Sequence, residues 1–278
     1  MGNDAGCGKF LTICADDFGM NPAIDEAILR LAELGRLSAA SCMPYGPSFR
    51  SHADALSTSG LQLGLHLNFT EALNGEGLYR PLPWLIAAAY GRRLDAAAVE
   101  RQIVHQLDAF EEVLRRGPDF IDGHQHVHQL PIIRDCLLRE LVRRYAVADR
   151  PWLRSTIAAA QPGVPWPLRG KALVIQMLGA RRFARQAGAR GFTLNKGFLG
   201  VYGFSGGEAA YRRLLACWLR AAGDGALLMC HPATAAADDD VLGAQRVAEF
   251  RVLAGDGMAQ LLRDTGFSLA RPDGFRFP

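Results

Sequence analysis

The 278-residue chain contains no run of 18 apolar residues, so no membrane-spanning helix is expected. It also lacks any block of five like charges: 31 Lys and Arg face 28 Asp and Glu, for a net charge of +3. Nearly all the cations are arginines spread as pairs, such as Arg92-Arg93, Arg115-Arg116 and Arg181-Arg182. That dispersion reads as solvated helix faces and argues against a nucleic-acid footprint, which needs clustering. No C-x-x-C pair occurs among the six cysteines. Cys14, Cys42 and Cys230 sit in apolar runs and read as small core residues in a reducing compartment. The start, Met1-Gly-Asn-Asp-Ala-Gly6, has neither a basic n-region nor an apolar h-region, and Gly2 lacks the serine or threonine of a myristoylation signal. A cytoplasmic protein is therefore expected. Repeats, low-complexity tracts and linkers are missing too, so residues 1–278 are read as a single domain. With 49% hydrophobic and 21% charged residues, it can hold its core without disulfides or a structural metal.

What is present is an alternation of strands and helices. The apolar run Phe10–Ala15 reads as a strand, followed by Asn21-Pro22, an N-cap and a proline at the first helical position. The next helix aligns Ile24, Ala27, Ile28, Leu31 and Leu34 and stops at Gly35. Strands are expected near 38–43, 61–67, 119–124, 152–155, 191–195, 226–230 and 267–269. Helices are expected near 48–58, 95–116, 131–145, 170–187, 207–222 and 244–264. Residues 68–94 read as a long loop. Repeated βα units predict a parallel sheet wrapped by helices. Reactive groups at several strand ends favour a barrel-like closure with one mouth.

Those strand ends carry the chemistry. The first strand ends in Asp16-Asp17-Phe-Gly19. Burying two adjacent carboxylates is costly without a cation, so a metal is expected on one, leaving the other as a base. His66 ends the strand Leu61–Leu67, and His231-Pro232 follows the buried run Ala226–Cys230. Proline keeps the preceding histidine extended. The densest motif is Asp122-Gly-His124-Gln-His126-Val-His128, where four metal-capable residues recur with period two. Read as an extended segment, it projects all four to one face. Same-face neighbours on a strand step by roughly 6.6 Å, so one or two would bind an ion and the others orient ligands or touch substrate.

At these residues the chain resembles the YdjC/ChbG-type carbohydrate deacetylases. The resemblance rests on Ala15-Asp-Asp-Phe-Gly19, Gly64-Leu-His66-Leu, Asp122-Gly-His-Gln-His-Val-His128 and Cys230-His-Pro232, in that order and spacing. It implies a distorted (β/α) barrel with parallel strands, polysaccharide-deacetylase-like, and one divalent metal ion. It also implies removal of an N-acetyl group from an amino sugar, an N-acetylated oligosaccharide or a glycolipid. Carried over by motif, Asp17, His66 and His124 are the expected metal ligands, Asp16 the catalytic base and His231 the general acid. Asp122, His126 and His128 are then supporting or substrate-contacting residues. Two histidines and a carboxylate suit zinc by ligand softness, while the family is also associated with magnesium.

The 68–94 loop and the 232–243 segment follow strand ends that carry site residues, so both are expected to shape the substrate mouth. Tyr79 and Trp84 are candidates for stacking on a sugar ring. Two other readings stay open at this point. One is a metal-dependent phosphoesterase or amidohydrolase, although those usually carry a His-x-His near the first strand. The other is a non-catalytic, metal-stabilised sugar-binding protein.

Overall fold

The computed structural model describes residues 9–238 and 240–269. The leader-free reading of residues 1–8, and Cys7 with it, lies outside the described residues. The first strand, β1 (Lys9–Phe18), is buried over Leu11–Phe18. Helix α1 (Pro22–Glu33) follows with the expected cap, the Asn21 side chain accepting from the Ile24 N–H at 3.0 Å. It buries Ile24, Ala27, Ile28 and Leu31, the stripe set by the 3.6-residue period. Next come β2 (Ala39–Cys42), α2 (Phe49–Ser57) and β3 (Gln62–Leu67). Helix α3 (Leu82–Tyr90) was not anticipated, because Pro81 and Pro83 read as loop punctuation; here Pro83 occupies the first turn, where its missing N–H costs nothing. Helix α4 (Ala96–Leu114) buries Val99, Ile103, Leu107 and Phe110, each worth about 1.5–3 kcal/mol of apolar transfer.

Strand β4 (Phe120–Gly123) and α5 (Ile133–Arg144) lead to the short β5 (Trp152–Leu153). The single helix expected over 170–187 is two: α6 (Trp166–Met177) and α7 (Ala180–Gly188). The break is at Gly179, whose φ of 121° is open only to glycine and where a Cβ would meet the Gln129 carbonyl oxygen at 2.4 Å. The strand expected at 191–195 lies slightly later, as β6 (Gly197–Leu199). Helix α8 (Gly207–Ala221), β7 (Ala226–Cys230), α9 (Gly243–Ala254), α10 (Asp256–Thr265) and β8 (Phe267–Leu269) complete the order. No helix among the described residues is long and apolar enough to cross a membrane.

All strand pairs are parallel, in the order β5-β4-β3-β2-β1-β7-β6, with β8 beside the start of β1. The two ends of this path meet through isolated parallel bridges, Leu153 with Leu194 and Ala158 with Phe198. Asn195 stitches the seam, accepting from the Ser155 N–H at 2.7 Å and donating to the Ser155 carbonyl at 3.0 Å. The result is the distorted (β/α) barrel the motifs implied.

Residues two apart on a strand share a face. A small cluster containing Cys14, Ala39, Phe120, Trp152, Phe198 and Leu227 fills the barrel, separate from the large cluster under the helices. Gly64 makes room for it: a Cβ there would meet the Phe120 ring at 2.3 Å. Two residues further along the same faces come Asp16, Ser41, His66, Asp122 and Arg154. Strand alternation therefore places a polar layer above an apolar plug, at the C-terminal mouth.

Candidate metal centre and active-site cavity

A regular strand would send Asp16 and Asp17 to opposite faces. Here the β1–β2 register shifts between Ala15 and Phe18, and Asp17 takes a left-handed φ of 70°. This bulge turns both carboxylates toward one cavity of about 670 Å³, which His66, His124, His126 and His231 also line. Asp17 is fully buried. Its Oδ1 lies 3.3 Å from His66 Nε2 and 3.0 Å from His124 Nδ1, while its Oδ2 accepts from Arg246 Nη2 at 2.7 Å. Burial opposes its charge, but Arg246 and then His124 outweigh that and hold its carboxyl well below the usual range.

The β3–β4 register sets His66 directly beside Asp122. Asp122 Oδ1 accepts from His66 Nδ1 at 2.6 Å and from the Ser41 hydroxyl at 2.5 Å. His66 thus turns Nε2 toward Asp17, the arrangement in which a carboxylate fixes the orientation of a ligating imidazole. Burial opposes a charged ring here, yet Asp122 and Asp16 raise the His66 pKa to about 10. Its surroundings therefore favour a cation on this ring, whether proton or metal.

Arg154, just after β5 and fully buried, organises the other carboxylate. Its Nη1 and Nη2 donate to the two oxygens of Asp16, each at 2.6 Å, and Nη2 lies 2.5 Å from Asp122 Oδ2. Burial alone would raise the Asp16 pKa; the bidentate guanidinium reverses that and holds the carboxyl well below its ordinary value. His231 also lines the cavity, with Nε2 3.8 Å from Asp16 Oδ2 and its ring edge-on to Phe204 at 5.0 Å. Burial lowers the His231 pKa to about 4, so the ring rests neutral. Glu249 of α9 lies beneath it and accepts the His231 backbone N–H at 2.7 Å and the Tyr202 hydroxyl at 2.5 Å.

The 122–128 segment departs from the extended reading. The strand ends at Gly123, and residues 124–129 form a 3₁₀ turn in which Gln125 and His126 have left-handed φ of 51° and 62°. The period-two alternation of histidines therefore does not put them on one face. His124 reaches Asp17. His126 lines the cavity edge-on to Phe198, with its buried Nδ1 unpartnered among the described residues. His128 points away, with Nε2 3.0 Å from the Arg154 carbonyl oxygen and its ring edge-on to Phe183. Positive φ at non-glycine residues costs of order 1 kcal/mol or more, a strain often found at functional sites.

Asp17, His66 and His124 offer ligand atoms that all lie within 4.8 Å of one another. A carboxylate and two imidazoles, one of them already oriented by Asp122, fit a divalent ion with a position left for substrate. A second carboxylate-and-thiol group, Cys14, Asp16 and Asp122, is filled by the Arg154 guanidinium, whose Nη2 also reaches Cys14 Sγ at 3.0 Å. The 68–94 loop contributes Glu71, Leu73 and Leu82 to the cavity, and the 232–243 segment contributes Ala237, Asp240, Val241 and Leu242. Tyr79 and Trp84 do not line it. The Tyr79 hydroxyl packs close over Gly75, and Trp84 is 46% exposed beneath Arg80. Tyr79 packs within the loop and Trp84 sits exposed on α3, so the structure does not bring either of these expected sugar contacts to the cavity wall. Arg154, Arg246 and Glu249 escaped the sequence reading. Each is a single charge in an ordinary apolar or helical context, and only the closed barrel brings it to the site.

A strand-end cluster of carboxylates and histidines at the mouth of a parallel (β/α) barrel is an arrangement that could hold a metal ion, and the comparisons with known proteins give the family in which it occurs. Residues 10–264 match the family described as YdjC-like protein, and the chain belongs to that family. A Homo sapiens protein named Carbohydrate deacetylase is 31% identical over 134 residues, 44% of this chain and 42% of that protein, so the match spans under half of that relative. A Serratia marcescens protein named Chitooligosaccharide deacetylase is 26% identical over 276 residues, covering 94% of this chain and 97% of that one. Among solved structures, an Enterococcus faecalis V583 protein described as a cellobiose-phosphate cleavage protein superposes with a TM-score of 0.67. At 20% identity it covers 95% of this chain and 97% of that one, and it shows the shared fold.

Proposed function

We propose that this chain is a metal-dependent carbohydrate N-deacetylase that hydrolyses the acetamide of an amino sugar. The observation that carries the reading is the convergence of Asp17, His66 and His124 on one point of a cavity that Asp16 and His231 also line. Membership of a family whose relatives bear deacetylase names supports the choice of substrate. Asp17, His66 and His124 would hold the ion, zinc or magnesium. When bound, it supplies Lewis acidity that polarises the acetyl carbonyl and makes a water more acidic.

The remaining roles belong to the chain. Asp16 accepts the proton of the attacking water as the water oxygen bonds to the acetyl carbon. Arg154 fixes the direction of that carboxylate with two parallel hydrogen bonds, at some loss of basicity. The C–N bond then breaks, and His231 donates a proton to the leaving sugar nitrogen, giving acetate and a free amine. His231 rests neutral, so its proton must arrive during turnover. Asp16 Oδ2 lies 3.8 Å away, beyond hydrogen-bond reach, so the proton taken from water would pass to His231 through a bridging water. Asp122 orients His66, and His128 braces the Arg154 backbone. His126, whose ring lines the cavity, would touch a sugar hydroxyl or the acetyl group.

The test is an acetate-release screen over N-acetylated mono- and oligosaccharides, with zinc, magnesium, cobalt or nickel added. Metal-dependent release from at least one acetylated sugar is expected. Turnover of phosphate esters alone would transfer the site to the phosphoesterase reading. Sugar binding without any turnover would make the protein a binding protein.

A further inference from the structure

We propose that the α6–α7 face is a docking surface for an anionic lipid bilayer. Between Asp149 and Glu208 the sequence contains no acidic residue, yet it carries nine cations from Arg150 to Lys196. The whole chain is only +3, so the rest of the molecule is net negative and this segment concentrates the positive charge. Arg154 is buried against Asp16 and Asp122 and Lys196 pairs with Asp224, but the arginines of α6 and α7 have no acidic neighbour within the stretch. Arg169 on α6 and Arg181, Arg182 and Arg185 on α7 are all exposed, and none is in an ion pair among the described residues.

The helix before these α7 arginines, α6, exposes apolar side chains. Of the 12 residues of α6 only Ala172 is buried. Trp166 is 76% exposed, Leu173 49%, Val174 52% and Met177 70%. Residues 166, 173 and 177 fall on one stripe at a period of 3.6, with Val174 at its margin. On the opposite side of the helix, Lys171, Ile175 and Leu178 line the active-site cavity. One helix therefore forms the cavity wall with its inner side and an exposed apolar ridge with its outer side. Val241, also a cavity-lining residue, is 98% exposed at the rim.

A row of large apolar side chains facing water marks an interaction site. A nucleic acid would use the arginines but leave Leu173, Val174 and Met177 in water. A bilayer surface takes both: Trp, Leu and Met enter the headgroup boundary while flanking arginines meet anionic headgroups. Docked this way, the cavity rim lies close to the membrane surface.

The experiment is co-sedimentation of the full chain with phosphatidylcholine vesicles, with and without phosphatidylglycerol, at low and high salt. Binding to the anionic vesicles is expected, weakened by salt and nearly lost on pure phosphatidylcholine. Arg181→Ser with Arg185→Ser should weaken it about 30-fold, roughly fivefold per cation. Trp166→Ser with Met177→Ser should weaken it at least tenfold through lost apolar burial. All four side chains are exposed on their helices, and unchanged thermal melts would confirm intact folding. Equal binding to neutral and anionic vesicles would overturn the proposal, as would binding indifferent to the Trp166/Met177 pair. Complete competition by duplex DNA would overturn it in favour of a nucleic-acid surface, and burial of Trp166 in a solution dimer would overturn it in favour of self-association.

Discussion

Replacing Asp16 by Asn separates the chemical from the structural work of that carboxylate. In the protein, one fully buried guanidinium, Arg154, is held between Asp16 and Asp122. Removing one partner of a buried ion pair typically costs 3–5 kcal/mol, because a charge is left uncompensated. Here Asp122 remains at 2.5 Å, and the Asn oxygen can still accept from Arg154. The expected cost is therefore smaller, about 2 kcal/mol, or roughly 4–8 °C in Tm for a chain of this size. Arg154→Met is the harsher change, since it leaves two buried carboxylates facing each other without a cation; about 4 kcal/mol is expected. The ligand set of Asp17, His66 and His124 is intact in Asp16→Asn, so metal content should be unchanged while kcat falls by about 10²–10⁴. Urea unfolding, metal analysis of the purified variant and acetate release read the three quantities separately. If Asp16→Asn lost metal as readily as activity, Asp16 would be a ligand. If Arg154→Met proved no more destabilising than Asp16→Asn, the two-carboxylate, one-guanidinium arrangement would not be what holds the mouth together.

Three further outcomes follow from the geometry. Asp17→Asn should abolish tight metal binding and activity together, as measured by isothermal titration with zinc; retained affinity would remove Asp17 from the ligand set. Burial raises the Glu249 pKa from an ordinary 4.5 to about 7, so the folded state binds its proton more tightly than the unfolded state. The stability this group contributes is fully present below about pH 4.5 and lost as pH rises through 7, a change of order 3 kcal/mol that Glu249→Gln should remove from the stability–pH curve; parallel curves for the two proteins would contradict it. Alanine at both Tyr79 and Trp84 should leave KM within about twofold on the best substrate, because neither lines the cavity; a rise of tenfold or more would show that the loop closes over the sugar.

The fold was legible where the chain obeys one period at a time. The apolar run of β1, the 3.6-residue stripes of α1 and α4 and the Asn21 cap all appear at or near their expected places. Strand ends bearing Asp16-Asp17, His66 and His231 were legible for the same reason, since a polar residue closing a buried run marks the mouth of a parallel barrel. The 122–128 segment was not. Its alternation imitates a strand, but the φ values that end β4 at Gly123 and turn Gln125 and His126 left-handed leave no trace in composition. Alternation is a necessary sign of a strand, and here a tight turn produces it as well. Arg154, Arg246 and Glu249 stayed hidden for a different reason. Their importance comes from partners 138, 229 and 18 residues away, and only chain closure brings these together. The acid-free stretch between Asp149 and Glu208 was in the sequence throughout, but its meaning depended on learning that α6 leaves its apolar stripe exposed.

The most direct test of the metal-centred account is to strip the protein with a chelator and titrate zinc back while following acetate release from an N-acetylated chitooligosaccharide. Activity should be absent in the stripped protein and rise in proportion to bound ion. It should saturate at one ion per chain, and no rise should occur in the Asp17→Asn protein. Full activity in the stripped protein, or a rise in Asp17→Asn equal to that of the unaltered chain, would contradict the assignment of Asp17, His66 and His124 as the centre of the reaction.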